Sequence, residues 1–168
     1  MSQLDLTRQL DIFSGQALAT PITVIGAGGI GAPTVLFLAK MGMQNLTVWD
    51  DDTIEEHNLP NTLLPLWRPD TQGPEPQYLG TIGEPKAKTL AGLVHAMAGH
   101  TIAYVEHTYP PDRNGLPTPI VISGIDSMAG RRAIWTHLCK HSGCELYIDA
   151  RMAGEYGDIF AVYLENRA

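Results

Sequence analysis

The run Gly26-Ala27-Gly28-Gly29-Ile30-Gly31 fits the pattern G-x-G-x-x-G, and the chemistry open to such a turn is the holding of phosphate. The first glycine permits a tight turn, the second lets backbone approach phosphate oxygens, and the last lets a following helix pack closely on a sheet. The start of that helix adds N–H donors and the positive end of its dipole. About 20 residues on, Asp50 ends an apolar run, where a carboxylate can accept hydrogen bonds from ribose hydroxyls. These residues spell a ribonucleotide and leave its kind open: a redox dinucleotide, or a nucleotide about to be cleaved.

Three further residues bear on that choice, because hydride transfer has no need of them. Lys86 opens a helix after a long loop, within reach of phosphates held by the glycine turn. Asp126 follows "IVISGI", at the carboxyl end of a strand, where a carboxylate can hold Mg2+ near phosphate oxygens. Asn58 offers an uncharged donor to the same space. Singly, a helix-start lysine or a strand-end aspartate is an ordinary cap or solvated charge. Together they favour phosphate chemistry over redox chemistry.

The elements that must position these residues alternate. Residues 4–12 read as a short N-terminal helix and "SGQAL" as a turn. Strand, helix and strand follow at 22–25, 29–41 and 46–50, one βαβ unit. Residues 51–85 carry six prolines and little periodicity, which predicts a long loop with one helical turn. Helix resumes over 85–98 with Pro85 in its first turn, where its missing N–H is not needed. Strands are predicted at 102–106 and 120–123, a helix at 127–141, and closing strands at "ELYIDA" and "DIFAVYLE". The expected fold is α/β: a Rossmann-like, doubly wound, mostly parallel sheet with helices on both faces, in a single domain over 1–168. Ligands in such sheets sit beyond the carboxyl ends of the strands, at the switch point above the first strand.

Composition narrows the classes of partner. Apolar residues make up 44% and charged residues 17%, a globular balance. A net charge of −7 provides no general basic field, so nucleic acid is not expected as a partner. Two cysteines are too few for a disulfide framework, the N-terminus lacks the basic and apolar regions of a signal peptide, and the apolar runs are too short for a bilayer. The expected location is cytoplasmic, with no membrane contact.

Other groups of residues have plainer readings. His137 and His141 share a helical face, but four ligands drawn from "HLCKHSGC" rarely converge as a zinc site without a second segment. Either cysteine reads better as a small core residue than as a thioester acceptor. His57 reads as an exposed loop histidine. Arg151, in "DARMAGEYGD", is positioned either to greet a peptide carboxylate or to pair with Glu155.

In order and spacing, "LTRQL", "SGQAL", "GAGGIGAP", "VWDDDTIEEHNLPN", "GEPKAKTL" and "ISGIDSMAGRRAIW" resemble the ThiF/MoeB/HesA family, the adenylating domain of enzymes that activate ubiquitin-like proteins. The resemblance covers nearly the whole chain. It implies that Gly26, Gly28 and Gly29 line ATP, Asp50 takes the ribose, and Asp52 and Asn58 serve the nucleotide and phosphate region. It further implies that Lys86 contacts phosphates, that Asp126 holds Mg2+, and that Arg8 reaches the neighbouring subunit's site in a homodimer; Arg131 is a weaker candidate. The implied reaction is ATP-dependent adenylylation of the C-terminal carboxylate of a ubiquitin-like or sulfur-carrier protein, or of a small peptide, releasing pyrophosphate. An NAD-dependent oxidoreductase and a non-catalytic binding module remain the alternatives. Two departures stand out: Asn61 occupies the place of a usual family arginine, and the paired CxxC motifs of many members are lacking.

Overall fold

The computed structural model describes residue 12 and residues 14–64, 80–109 and 117–164. The helix expected over 4–12, together with Arg8, lies outside these residues. The first described element is α1 (Gly15–Leu18), where a turn was expected. The Ser14 hydroxyl accepts the N–H of Ala17 and so converts that turn into one turn of helix.

β1 (Ile22–Ile25) has all four residues buried. It is β-branched throughout, as suits a strand covered on both faces. α2 (Gly31–Lys40) leads back to β2 (Leu46–Trp49), and a short 3-10 helix (Glu56–Asn61) supplies the helical turn expected in the proline-rich loop. α3 (Lys86–Ala98) leads to β3 (Ala103–Val105). Pro85 stands one residue before α3 rather than inside it. Its ψ of 130° keeps the chain extended where it bridges to Thr53.

β4 (Ile120–Ser123), α4 (Met128–Lys140), β5 (Leu146–Ala153) and β6 (Tyr156–Tyr163) follow. The sheet order is β3-β2-β1-β4-β5-β6, with β6 alone antiparallel to its neighbour. β5 runs three residues past its expected end and pairs with β6 from Leu146–Tyr163 to Ala153–Tyr156. The two-residue turn at Gly154-Glu155, with Gly154 at φ +59°, permits that reversal.

Alternate residues of β1 feed two cores. Val24 joins Val35, Val48, Leu90 and Val94 beneath α2 and α3. Ile25 joins Val121, Ile134, Leu138 and Tyr147 beneath α4. Helices therefore cover both faces, and every parallel strand ends at one edge of the sheet. At that edge the exit of β1 passes so close to the start of α2 that a Cβ on Gly31 would lie 1.7 Å from the Gly26 carbonyl oxygen. Both atoms belong to main chain, so neither can swing aside. Gly31→Ala is expected to lose at least about 1–3 kcal/mol of stability through overpacking, measured as a lower urea midpoint at unchanged slope; an unchanged midpoint would contradict this packing.

Candidate functional site

The glycine turn lies at the carboxyl end of β1. Gly26 takes φ +98°, a left-handed conformation that glycine adopts without strain, while its N–H donates to the Trp49 carbonyl at 2.7 Å. A Cβ at Gly28 would meet nothing within 4 Å, so this residue faces open space where a ligand can approach. A Cβ at Gly29 would lie 3.0 Å from the Asn61 carbonyl oxygen, which places the end of the 3-10 helix against the turn.

Asp50 ties that turn to the end of β2. One carboxylate oxygen accepts the Ala27 N–H at 2.5 Å and the other accepts the Asp52 N–H at 2.8 Å. Burial raises the Asp50 pKa above its ordinary value; the two N–H groups and the charge of Lys86 oppose the rise, and Asp52 adds to it. The ionised form is the better acceptor for ribose hydroxyls and for these N–H groups. As pH falls through this raised pKa, that form is lost. The stability linkage has the opposite sign: the advantage of the protonated form is present below the ordinary 3.8 and is lost as pH rises through the folded-state value.

Lys86 begins α3, and its N–H donates to the Asp52 carbonyl at 3.0 Å. Its ammonium pairs with the Asp52 carboxylate at 2.8 Å. The lysine side chain is 12% exposed and the aspartate 68%, so Asp52 is the partner free to swing into solvent. Asn58 belongs to a capping box: its side-chain oxygen accepts the Glu55 N–H at 3.0 Å, and the Glu55 side chain accepts the Asn58 N–H. The Asn58 carbonyl is thereby occupied in shaping the loop, while its amide donors are not consumed by that box.

Across the turn, β4 ends at Ser123, and Gly124 donates its N–H to the Ile25 carbonyl at 2.8 Å. Asp126 is exposed just beyond, immediately before Ser127, whose hydroxyl caps α4. Neighbouring strands lie about 4.8 Å apart, so Lys86 and Asp52 flank the glycine turn on its β2 side and Asp126 on its β4 side. Lys86 and Asp52 thus belong to the connection leaving β2 and Asp126 to the one leaving β4, the two strands that flank β1 and its glycine turn.

A further charged group sits one strand beyond. Arg131, only 7% exposed, bonds the Asp149 carboxylate and the Ile125 carbonyl, and it donates to the Ala150 carbonyl at 3.2 Å. It thus fastens the loop carrying Asp126 to β5. Arg151 does not pair with Glu155 as one reading had it; its Nε and Nη2 both donate to Asp149 Oδ2, at 2.8 and 2.6 Å. Ser123 also donates to Asp149, at 2.9 Å. Burial lowers the Arg131 pKa, with the charge of Arg151 adding to this and Asp126 opposing it. The sequence reading passed over Asp149. A carboxylate at a core-facing position of a buried strand was the available signal, because such a charge requires partners.

His137 and His141 do share a helix face, with ring centroids 4.5 Å apart. Among the described residues, however, the histidine and cysteine side chains form no metal-ligand cluster; the one acidic cluster is Asp50, Asp51 and Asp52, in which Asp51 accepts the Thr108 hydroxyl. Cys139 is exposed rather than part of the core, while Cys144 is buried with its thiol pKa pushed up to about 11, chiefly by burial. Among the described residues no helix is long and apolar enough to cross a membrane.

Residues 13–168 match the model of the ThiF family. The SAMP-activating enzyme E1 of Haloferax volcanii is 32% identical over 83 residues, which are 49% of this chain and 26% of that protein. The adenylyltransferase and sulfurtransferase UBA4 of Yarrowia lipolytica is 32% identical over 92 residues, 55% of this chain and 19% of that protein. Solved structures of E. coli MccB, including one with ATP, share the fold at a TM-score of 0.68 and 16% identity, over 88% of this chain and 41% of theirs. The chain thus spans less than half the length of each.

The site geometry sets two expectations. Gly28→Ala should fold normally and weaken ATP binding, because its methyl group would fill the open approach. The affinity of the unchanged protein for ATP should fall as pH drops through the raised Asp50 pKa, and Asp50→Asn should flatten that slope; both are read by isothermal titration. A slope unaffected by Asp50→Asn would remove the carboxylate from ribose recognition.

Proposed function

The chain belongs to the ThiF family, and from that premise we propose that it adenylates a C-terminal carboxylate at the expense of ATP. The acceptor is a ubiquitin-like or sulfur-carrier protein or a small peptide, and the products are an acyl adenylate and pyrophosphate. The observation that carries this reading is the glycine turn, open at Gly28 and tied to Asp50, at the end of a strand whose two neighbours lead to Lys86 on one side and to Asp126 on the other. The fold likeness to MccB and the partial identity to named adenylyltransferases support the same reading.

In the proposed mechanism the backbone of Gly26, Gly28 and Gly29 receives the nucleotide, and the free lone pairs of Asp50 accept the ribose hydroxyls. A carboxylate oxygen of the acceptor attacks the α-phosphorus, and the bond from that phosphorus to the bridging oxygen breaks to release pyrophosphate. A carboxylate is already a nucleophile at neutral pH, so no activating base is needed. The work left to the protein is bringing anions together and stabilising the charge on phosphate. Lys86, once released from Asp52, places its ammonium on phosphate oxygens, and the amide of Asn58 adds a neutral donor. Asp126 is an exposed hard-oxygen ligand at the right edge of the sheet, fitted to hold Mg2+ in the usual manner of one or two carboxylates plus phosphate. When bound there, the ion supplies further neutralisation of phosphate charge. Arg8, reaching from a second copy, completes the cation set in a homodimer of single-domain chains spanning 1–168. A cytoplasmic setting, where ATP is available, accompanies this reading.

ATP–pyrophosphate exchange that depends on an added carrier protein or peptide is the direct test. Asp126→Ala is expected to abolish metal-dependent exchange with the unfolding midpoint unchanged. Lys86→Ala should slow exchange roughly 10²–10³-fold, the loss of about 2–4 kcal/mol of transition-state stabilisation. Exchange at the unaltered rate in either variant would overturn its assignment. Tight NADH binding without any response to ATP would overturn the reaction class.

A further inference from the structure

The antiparallel pairing of β5 with β6 builds a second feature beside the nucleotide edge. Tyr147, Asp149 and Arg151 alternate onto the face of β5 that α4 covers, and their register partners on β6 are Val162, Phe160 and Asp158. Between this face and α4 lies a cavity of about 740 Å3. Its lining contains three arginines, Arg131, Arg132 and Arg151, against one carboxylate, Asp149. In a chain of net charge −7 this is a local inversion of sign. The remainder of the lining includes Trp135, Tyr147, Phe160 and Val162, an apolar and aromatic wall.

The arginines are not equivalent. Arg131 is buried and bonded through both terminal nitrogens to Asp149 and two main-chain carbonyls, so it is part of the frame. Arg151 has a side chain 42% exposed, and its planar group lies over the Phe160 ring at 4.8 Å. It spends Nε and Nη2 on Asp149, and among the described residues its Nη1 has no partner. Asp158, opposite on β6, does not take it. A guanidinium held rigidly on an aromatic face with one edge uncommitted is a receptor for a carboxylate. Its position on the sheet matters equally: Arg131 ties the Asp126 loop to β5 at Ala150, and Arg151 is the next residue. The cavity mouth therefore adjoins the edge on which the nucleotide is proposed to lie, about two strand spacings, or roughly 10 Å, from the glycine turn.

We propose that this cavity receives the carboxyl-terminal end of the acceptor polypeptide, with Arg151 holding its carboxylate and the aromatic wall taking a bulky apolar side chain beside it. The inference rests on the adenylation reading and adds to it the side from which the acceptor arrives and the side chain it carries. A positive, aromatic-walled cavity selects an amphipathic anion; a terminus made only of glycines would leave the apolar wall empty.

The test uses the full chain and three tetrapeptides: Ala-Ala-Phe-Gly as the free acid, the same peptide as its amide, and Ala-Ala-Gly-Gly as the free acid. Isothermal titration of the unchanged protein should show the first binding at least about tenfold tighter than either of the others, the usual scale of a charge-assisted contact. Arg151→Ala should erase the preference for acid over amide without altering ATP affinity. Phe160→Ala, on an exposed strand, should erase the preference for Phe while preserving that for acid, so the inference stays testable if the arginine variant folds poorly. Equal binding of acid and amide by the unchanged protein, or a preference that survives Arg151→Ala, would overturn it. Pyrophosphate exchange with the same peptides separates the two readings. Exchange with equal rates for all free acids overturns the acceptor assignment and keeps adenylation, whereas selective binding with no exchange keeps the acceptor site and overturns adenylation.

Discussion

The carboxylate of Asp50 is the joint on which the glycine-turn edge of the sheet depends. Each of its oxygens takes one backbone N–H, from Ala27 in the glycine turn and from Asp52 beyond β2, so two loops leaving adjacent strands share a single charged anchor. Asp52, fixed in this way, accepts the Lys86 N–H through its carbonyl and the Lys86 ammonium through its carboxylate. The start of α3 is thereby set against the end of β2, although 34 positions separate Lys86 from Asp52. Burying Asp50 raises its pKa, and the two N–H donors are what make an ionised group tolerable there. Lone pairs beyond those two bonds are the ones proposed above to accept ribose hydroxyls.

A second joint of the same kind sits three strands along the sheet. Asp149 gathers Ser123, Arg131 and Arg151 in the middle of β5, and Arg131 extends the linkage to the carbonyl before Asp126. A buried carboxylate between two guanidiniums is satisfied on every side, and removing one member would strand the others in low dielectric. Both joints hold the connections leaving the parallel strands. This edge of the sheet is therefore stiffened by charge as well as by packing, while two mainly apolar clusters fill the interior beneath it.

Local signals made much of this legible in the amino-acid sequence. The run Ile22–Ile25 is uniformly β-branched, Gly26–Gly31 follows it directly, and Asp50 closes the next strand; each of these is a pattern read within a few residues. The order of elements then dictated the parallel sheet. What escaped notice was contact between residues distant in sequence. Nothing near Lys86 announces Asp52 as its partner, 34 positions away, and nothing near Arg131 announces Asp149. One of two readings paired Arg151 with Glu155, four positions on, whereas in an extended strand the residue two positions away shares its face, and Asp149 is that residue. Ser14 and Pro85 show a finer limit. A single cap or bridge moves an element boundary by a residue or two without changing the pattern that announced it.

The contrast between the two cysteines carries a practical consequence. Cys144 is enclosed, donates its thiol to the Leu146 carbonyl and ionises only near about 11, while Cys139 faces solvent on α4. Thiolate is the reactive form, so an electrophilic dye at neutral pH has one addressable sulfur in this molecule. The fold offers, without any engineering, a unique attachment point on the helix that roofs the arginine-lined cavity.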